Sequence, residues 1–255
     1  MTITESTETG VRDVKSASRT VELLEYLASR QANPPHLNEI CRALGAPRSS
    51  VYALLRTLLA RGWVSASANE GYSLGIRILT TGTSYIDADP RVRVVRPILT
   101  DLASDLGETF HMARLDGDRI VYLATQESSR DLRPYSRVGR RLPATAAALG
   151  KAILAQRPDV VPEAFEQLTP HSIADAETFA GEMDVTRQRG YAIDDEENTL
   201  GLHCVAMALP YASPVTDAIS CSVPSKRWSA QRVVEIVEKM RDAVVRIVES
   251  APLAH

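Results

Sequence analysis

The chain has 255 residues, 44% of them apolar, and a formal net charge of −3. That length fits about two domains, and the apolar share is that of a globular protein with material for two cores. The charge excludes a uniformly polybasic molecule but leaves room for a local patch. Three cysteines, Cys41, Cys204 and Cys221, lie far apart with no CxxC pair. This excludes a disulfide framework or a clustered zinc site and fits a reducing cytoplasm. No apolar run reaches the length of about 18 residues that a membrane helix needs. Residues 1–14 are polar and acid-bearing, lack the shape of a signal peptide, and are expected to form a disordered tail.

SASRTVELLEYLASR predicts the first helix: Val21, Leu24 and Leu27 recur at helical spacing, with Ser16 or Ser18 placed to cap it. QANPPH, residues 31–36, breaks the pattern. A short helix follows in LNEICRAL, with Asn38 as its N-cap, Ile40, Cys41 and Leu44 on its apolar side, and Gly45 as its stop. After Pro47, Val51, Leu54, Leu55, Leu58 and Leu59 follow the spacing of a third helix with one core face, which Gly62 ends. WVSASANEGYSLG then reads as strand, Asn-Glu-Gly turn, strand. Helix, helix, turn, helix, hairpin is the order of a winged helix-turn-helix over residues 15–75. Residues 76–90 read as a linker helix, and 91–255 as a second domain.

VRVVRPILTDLASDLG predicts a helix with Val95, Ile98, Leu99, Leu102 and Leu106 on one side, ending at Gly107. ETFHMARL and IVYLAT alternate around a DGDR turn, a hairpin signal. RVGRRLP is a basic loop before the small-residue helix TAAALGKAILA. Helices are expected in the 160s and at about 175–189. After Gly190, YAIDDEENTLGLHCVAMALP and DAISCSVP are strand-like, separated by a turn at Ser213-Pro214. SAQRVVEIVEKMRDAVVRIVE closes as a long amphipathic helix. The second domain is therefore α+β, an antiparallel sheet with flanking helices.

The third helix has a polar side as well as a core side. Arg48, Ser49, Tyr52, Ala53 and Arg56 fall away from the leucines, and Ser50 lies in the first turn. An α-helix fits the DNA major groove with its N-terminal part at the bases. Arginine can hold a guanine edge with two donors, Ser and Tyr can bond phosphate or base, and Ala53 permits close approach. From Lys15 to Thr80 there are eight basic and four acidic residues, a local charge of +4, which suits phosphate contact. A packing or protein-binding module would share the same helices; the wing favours DNA.

The segments VKSASRTVELLEYL, LNEICRALGAPRSSVYALLRTLLARGWV, YSLGIRIL, RPILTDLASDLGETFHMARLDGDRIVYL, GRRLPATAAALGKAILA, LTPHSI, RQRGYAIDDEENTLGLHCVAMAL and AISCSVPSKR, in that order and spacing, resemble the IclR family of transcriptional regulators. The resemblance spans nearly the whole length. It implies an N-terminal winged helix-turn-helix, a linker helix, and a C-terminal, GAF-like effector-binding domain. It also implies homodimers, paired as homotetramers in many members, on double-stranded operator DNA.

A sensor of small organic acids needs a mostly apolar concavity with a few fixed donors. GRRLPATAAALGK offers small residues for close backbone approach, and Thr145 is placed to cap the helix. Ser220 and Ser222 alternate on one strand face. By resemblance, the ligand-lining positions are Leu142, Ala148, Leu149, Asp194, Cys204, Ser220 and Ser222. Ala148 stands where some relatives carry glycine, and Met207-Ala208 replaces the family's usual Ala-Pro. Each position also has a plainer reading: Cys204 as a buried small hydrophobe, Asp194 as a turn-former before the acidic run DDEEN, the serines as ordinary strand residues. Arg140 and Arg141 could bind an acidic effector or simply pack on the surface.

The rival functions are an enzyme and a sensor without DNA binding. Gly150-Lys151 is not a P-loop, because Thr145 and Ala152 stand where a glycine and a Ser or Thr are required. His203 and Cys204 should point to opposite strand faces, a poor dyad; catalysis would need Cys204 with a histidine brought near by folding. His36, His111, His171 and His255 show no metal spacing. The reading is a cytoplasmic, ligand-gated DNA-binding regulator of a catabolic operon, with no cofactor, no metal and no catalytic residue expected.

Overall fold

The computed structural model describes residues 14–67, 71–130 and 138–251. The chain forms two compact units, one up to Tyr85 and one from Ile86 onward. The expected tail and part of the Asn-Glu-Gly turn lie outside the described residues.

The first unit has three helices, α1 (Lys15–Ser29), α2 (Leu37–Ala43) and α3 (Arg48–Ala60), then a hairpin of β1 (Val64–Ser67) and β2 (Gly71–Leu74). Helix α4 (Ile76–Ala88) follows. Leu23 and Leu27 of α1, Ile40 of α2, and Val51, Leu55 and Leu58 of α3 make the core, with Leu24, Leu54 and Leu59 packed on it. Val21, expected in this core, is instead 55% exposed: Leu23 and Leu27, one turn apart, set the buried stripe, and Val21 falls off it. No side chain caps α1. At α2 the cap position belongs to His36 rather than Asn38, and the His36 N–H donates to Glu39 at 2.9 Å. Gly45 and Gly62 leave their helices at positive φ, as expected of helix ends. Gly71 has a further reason to be glycine: a Cβ there would lie 2.7 Å from the Pro34 and Pro35 carbonyl oxygens. The Tyr72 N–H donates to Pro35 O at 3.0 Å, which pins the wing to the breaker loop.

The second unit is a six-stranded antiparallel sheet in the order β5-β4-β3-β8-β7-β6. Its strands are β3 (Thr109–Asp116), β4 (Arg119–Gln126), β5 (Arg141–Pro143), β6 (Ala192–Asp195), β7 (Leu202–Ala208) and β8 (Asp217–Pro224). Helices α5 (Pro90–Leu106) and α8 (Ala230–Ser250) cover one side, where Phe110, Met112, Val205, Ile219 and Cys221 meet Leu99, Leu102, Ile236 and Met240. Helices α6 (Ala148–Ala155) and α7 (Ala176–Arg189) cover the other, against Ala113, Ile120, Tyr122, Ala206 and Ala218. Covering both faces explains why β8 is buried at every residue and reads as a nearly continuous apolar run. The β3–β4 register shifts between Met112 and Ala113: Met112 faces Ala124, whereas Ala113 faces Tyr122.

Three expectations are corrected. The basic loop contributes an edge strand, β5, paired with β4. No helix forms in the 160s: Pro158, Pro162 and Pro170 interrupt the segment and remove the donors a helix requires. Thr145 does not cap α6, because it lies within a 3-10 turn (Ala144–Ala146) and Ala147 takes the cap position.

One buried ionic cluster ties this unit's first helix to its sheet. Asp89 caps α5 by accepting the Arg91 N–H at 2.9 Å and also pairs with Arg114 at 2.6 Å. Arg114 grips the fully buried Asp217 with two bonds of 2.7 Å, and the Tyr211 hydroxyl donates to the same carboxylate.

Candidate nucleic-acid interface and ligand site

Helix α3 turns its polar side outward. Arg48, Ser49, Tyr52, Ala53 and Arg56 are exposed, opposite the buried Val51, Leu55 and Leu58. Arg48 donates to Asn38 Oδ1, so the side chain of α2 orients the first arginine of α3. Ser50 is half-buried, and Arg19 reaches its hydroxyl at 3.5 Å. A cleft of about 510 Å³ opens between α2, α3 and the wing, lined by His36, Asn38, Arg48, Tyr52, Ser67 and Tyr72. An exposed helix face carrying two arginines beside a wing can present donors to base edges and phosphates together.

In the second unit the proposed ligand residues gather on the α6 side of the sheet. Asp194, Cys204, Ser222 and Thr109 form one cross-strand row, and Ala206, Ser220, His111 and Thr125 form the next. Cys204 Sγ lies 3.2 Å from Ser222 Oγ. Ala148 and Leu149 open α6 above this face, and Leu142 stands on the opposite edge strand within the same apolar cluster. Gly150 lets α6 approach closely: a Cβ there would lie 2.1 Å from Ala144 O.

Burial dominates the chemistry of this face. Asp194 accepts the Glu197 N–H at 2.8 Å and the Asn198 N–H at 3.3 Å, so it does shape the acidic turn. Its carboxyl is raised to about 7, by burial first and then by the Glu197 charge. Lys151, 1% exposed, pairs with Glu197 beneath the same turn. The Cys204 thiol is pushed up by burial and then by Asp194, the reverse of what a nucleophilic thiolate needs. His203 turns away from Cys204 and stacks on Trp228 with centroids 4.7 Å apart. Its Nε2 lies 2.9 Å from Ser225 Oγ.

Three residues of this face were not singled out as site residues from sequence. His111 stands opposite Ser220 on one side and Thr125 on the other, with the His111 and Tyr122 rings edge-to-face at 5.0 Å. Burial, then the Arg140 charge, lowers the His111 pKa to about 3, so its ring is neutral. The signal was present in ETFHMARL, where His111 alternates with the apolar Phe110 and Met112. Among the described residues, no group of His, Cys, Asp or Glu is arranged to hold a metal ion, and no helix is long and apolar enough to cross a membrane.

Comparison with known proteins bears on both sites. The IclR helix-turn-helix domain model matches residues 16–67, and the model of the bacterial transcriptional regulator IclR C-terminal matches residues 83–249. The HTH-type transcriptional regulator XynR of Escherichia coli is 29% identical over 90% of this chain and 94% of its own length. The HTH-type transcriptional regulator KdgR of Dickeya chrysanthemi is 31% identical over 83% of this chain and 72% of its own. An IclR transcriptional regulator from Alicyclobacillus acidocaldarius has the same fold, with a TM-score of 0.81 at 24% identity, covering 94% of this chain and all of the other. So does an IclR homolog from Microbacterium hydrocarbonoxydans, solved in complex with 4-hydroxybenzoate, with a TM-score of 0.76 at 19% identity over 92% and 98% of the two chains. With its helix-turn-helix and its C-terminal effector domain both matched, the chain belongs to the IclR family of DNA-binding transcriptional regulators.

Proposed function

We propose that the chain is a cytoplasmic regulator that senses a small organic acid and controls a catabolic operon. Arg48, Ser49, Tyr52, Ala53 and Arg56 enter the major groove, and Ser50 meets the phosphate backbone. The observation that carries this is the division of α3 between a leucine core and an exposed arginine-bearing side. On the other unit, Leu142, Ala148, Leu149, Asp194, Cys204, Ser220 and Ser222 line the effector site. A relative solved with 4-hydroxybenzoate, a small carboxylate, supports that ligand class. The protein is not an enzyme on this reading, since its relatives are named as regulators and its most buried thiol pair, Cys204 and Cys221, is held protonated by burial.

The regulator works as a homodimer. Ile76 and Leu79, 70% and 60% exposed one turn apart on α4, supply apolar surface for a second copy. Two recognition helices related by a two-fold axis fit a palindromic operator. The effector acts by binding one arrangement of the dimer better than another, which shifts the population able to hold DNA.

Arg48→Ala and Arg56→Ala should each weaken operator binding at least about tenfold in a gel shift, the loss of one good base or phosphate contact. Unchanged affinity in both variants, with the protein folded, would remove the DNA-reading assignment. The coupling is tested separately, by titrating 4-hydroxybenzoate and other small acids into the protein–operator complex. An acid that binds without altering operator affinity refutes it.

A further inference from the structure

This inference rests on the reading that the α6 side of the sheet holds the effector. Three hydrogen-bonding groups on that face have no partner among the described residues. His111 Nε2 is fully buried and unbonded, while Nδ1 of the same ring lies 3.1 Å from Thr125 Oγ1. The hydroxyls of Tyr122 and Ser220 make no hydrogen bond among the described residues, and these side chains are 6% and 2% exposed. They belong to β4, β3 and β8, three adjacent strands. His111 stands opposite Ser220 and touches the Tyr122 ring. Buried polar groups are almost always satisfied, because leaving one unpaired costs about 1–3 kcal/mol. His111 Nε2 is such a group, and the two unbonded hydroxyls beside it mark a place where something else makes the bonds.

A cation faces the same cluster. The Tyr122 N–H donates to Arg140 O at 3.0 Å, and the Gly139 N–H donates to Tyr122 O at 2.8 Å. Arg140 therefore stands opposite Tyr122, and its side chain leaves on the same side of the sheet, as Leu142 does two residues later. Its neighbour Arg141 pairs with Asp116 at 2.9 Å, but among the described residues no carboxylate pairs with Arg140. The Arg140 charge reaches both His111 and Tyr122, lowering the pKa of each against or along with the effect of burial.

We infer that Arg140 anchors the effector's carboxylate, and that His111, Tyr122 and Ser220 hold a hydroxyl on the same ligand, so that the effector is a hydroxycarboxylic acid. The hydroxyl follows from the donor set. A tyrosine or serine hydroxyl both donates and accepts, and His111 Nε2 does one or the other according to its tautomer. A ligand hydroxyl also does both and satisfies all three, whereas a methyl or ring C–H satisfies none. A fatty or plain aromatic acid would leave the buried His111 Nε2 unpaired and be rejected for it.

The test is calorimetric titration of the full-length protein with two matched pairs, glycolate with acetate and 4-hydroxyphenylacetate with phenylacetate. In the pair whose size fits, the hydroxy acid should bind at least about tenfold more tightly than its partner. Arg140→Gln should lose at least about tenfold in affinity for it and Arg140→Lys much less, since lysine keeps the charge. Arg140 is part-exposed, so these variants fold even if His111→Gln does not. Equal binding within the pairs, or no binding of any of the four acids, overturns the ligand class. Undiminished binding in Arg140→Gln overturns the anchor. If hydroxy acids bind but Ser222→Val, Arg140→Gln and His111→Gln all leave affinity unchanged, the effector-site reading itself fails. If only Ser222→Val matters, the site stands and the present assignment falls.

Discussion

The two units place their functional side chains in opposite environments. In the first, the polar side chains of α3 stand in solvent and the core behind them is purely apolar. In the second, polar groups of the proposed site are buried inside the sheet–helix sandwich, most of them under 10% exposed. A reader of DNA meets a ligand as large as itself and needs only to display donors. A receptor for a small molecule must surround it, and so takes polar groups out of water. Substitutions on α3 should therefore change binding and little else, whereas those in the second unit should also move stability.

The largest effect expected is at the ionic cluster that joins α5 to the sheet. Asp217→Ala removes the buried carboxylate that Arg114 grips with two bonds and should cost about 3–5 kcal/mol of unfolding free energy, the range for a broken buried pair. Urea denaturation measures it; a loss below about 1 kcal/mol would mean that water replaces the carboxylate. On the other unit, Arg56→Ala should leave the same transition within about 0.5 kcal/mol, as for most surface changes. It should also reduce the salt dependence of operator binding by about one unit of slope if the side chain contacts phosphate. A destabilised Arg56→Ala would erase the contrast drawn between the units.

Two buried titratable groups give the second unit pH responses of known sign. His111 has a folded pKa near 3, below its ordinary 6.5, so the native ring binds fewer protons than the unfolded one. Its contribution is present above about pH 6.5 and is lost as pH falls toward 3. Asp194 behaves in the opposite way: its folded pKa near 7 lies above 3.8, so the native carboxyl holds a proton that the unfolded one has released. Stability from this group falls as pH rises from about 4 to 7. Denaturation midpoints between pH 4 and 8 should show a shallower acid limb in His111→Gln and a flatter neutral region in Asp194→Asn. Parallel curves for variant and wild type would contradict the burial of these groups. Within the second unit the smallest effect is at Ser222→Ala, which removes one hydrogen bond to Cys204 and should cost about 1 kcal/mol or less; a loss above about 3 kcal/mol would show a larger role than that bond.

What the amino-acid sequence discloses follows the same division. In α3, solvent and core alternate with a helical period, so the leucines and the arginines could be assigned to opposite sides directly. The strands were legible as strands, but a sheet covered on both faces hides which side each residue takes. DAISCSVP gives no sign that Ser220 and Ser222 face α6 while Cys221 faces α5 and α8. His111 has no partner near it in the sequence, since its neighbours Thr125 and Ser220 come from other strands. The helix expected in the 160s failed for a local reason, three prolines, that composition does show. Leu23 displaced Val21 because packing against α2 and α3 chose between two helical stripes that the spacing alone left equivalent.

The register shift between β3 and β4 has a consequence for how this receptor can change its tastes. In a regular strand, residues 122 and 125 point to opposite sides. The extra residue at the shift lets both Tyr122 and Thr125 flank His111, one against its ring and one at Nδ1. That irregularity turns one strand into a two-pronged fork around a single histidine. Deleting Leu123 would close the fork, turning one prong away and stranding the imidazole. Substituting either prong in place would keep the geometry and alter only what it grips. The strand is thus tolerant of new side chains and intolerant of new lengths.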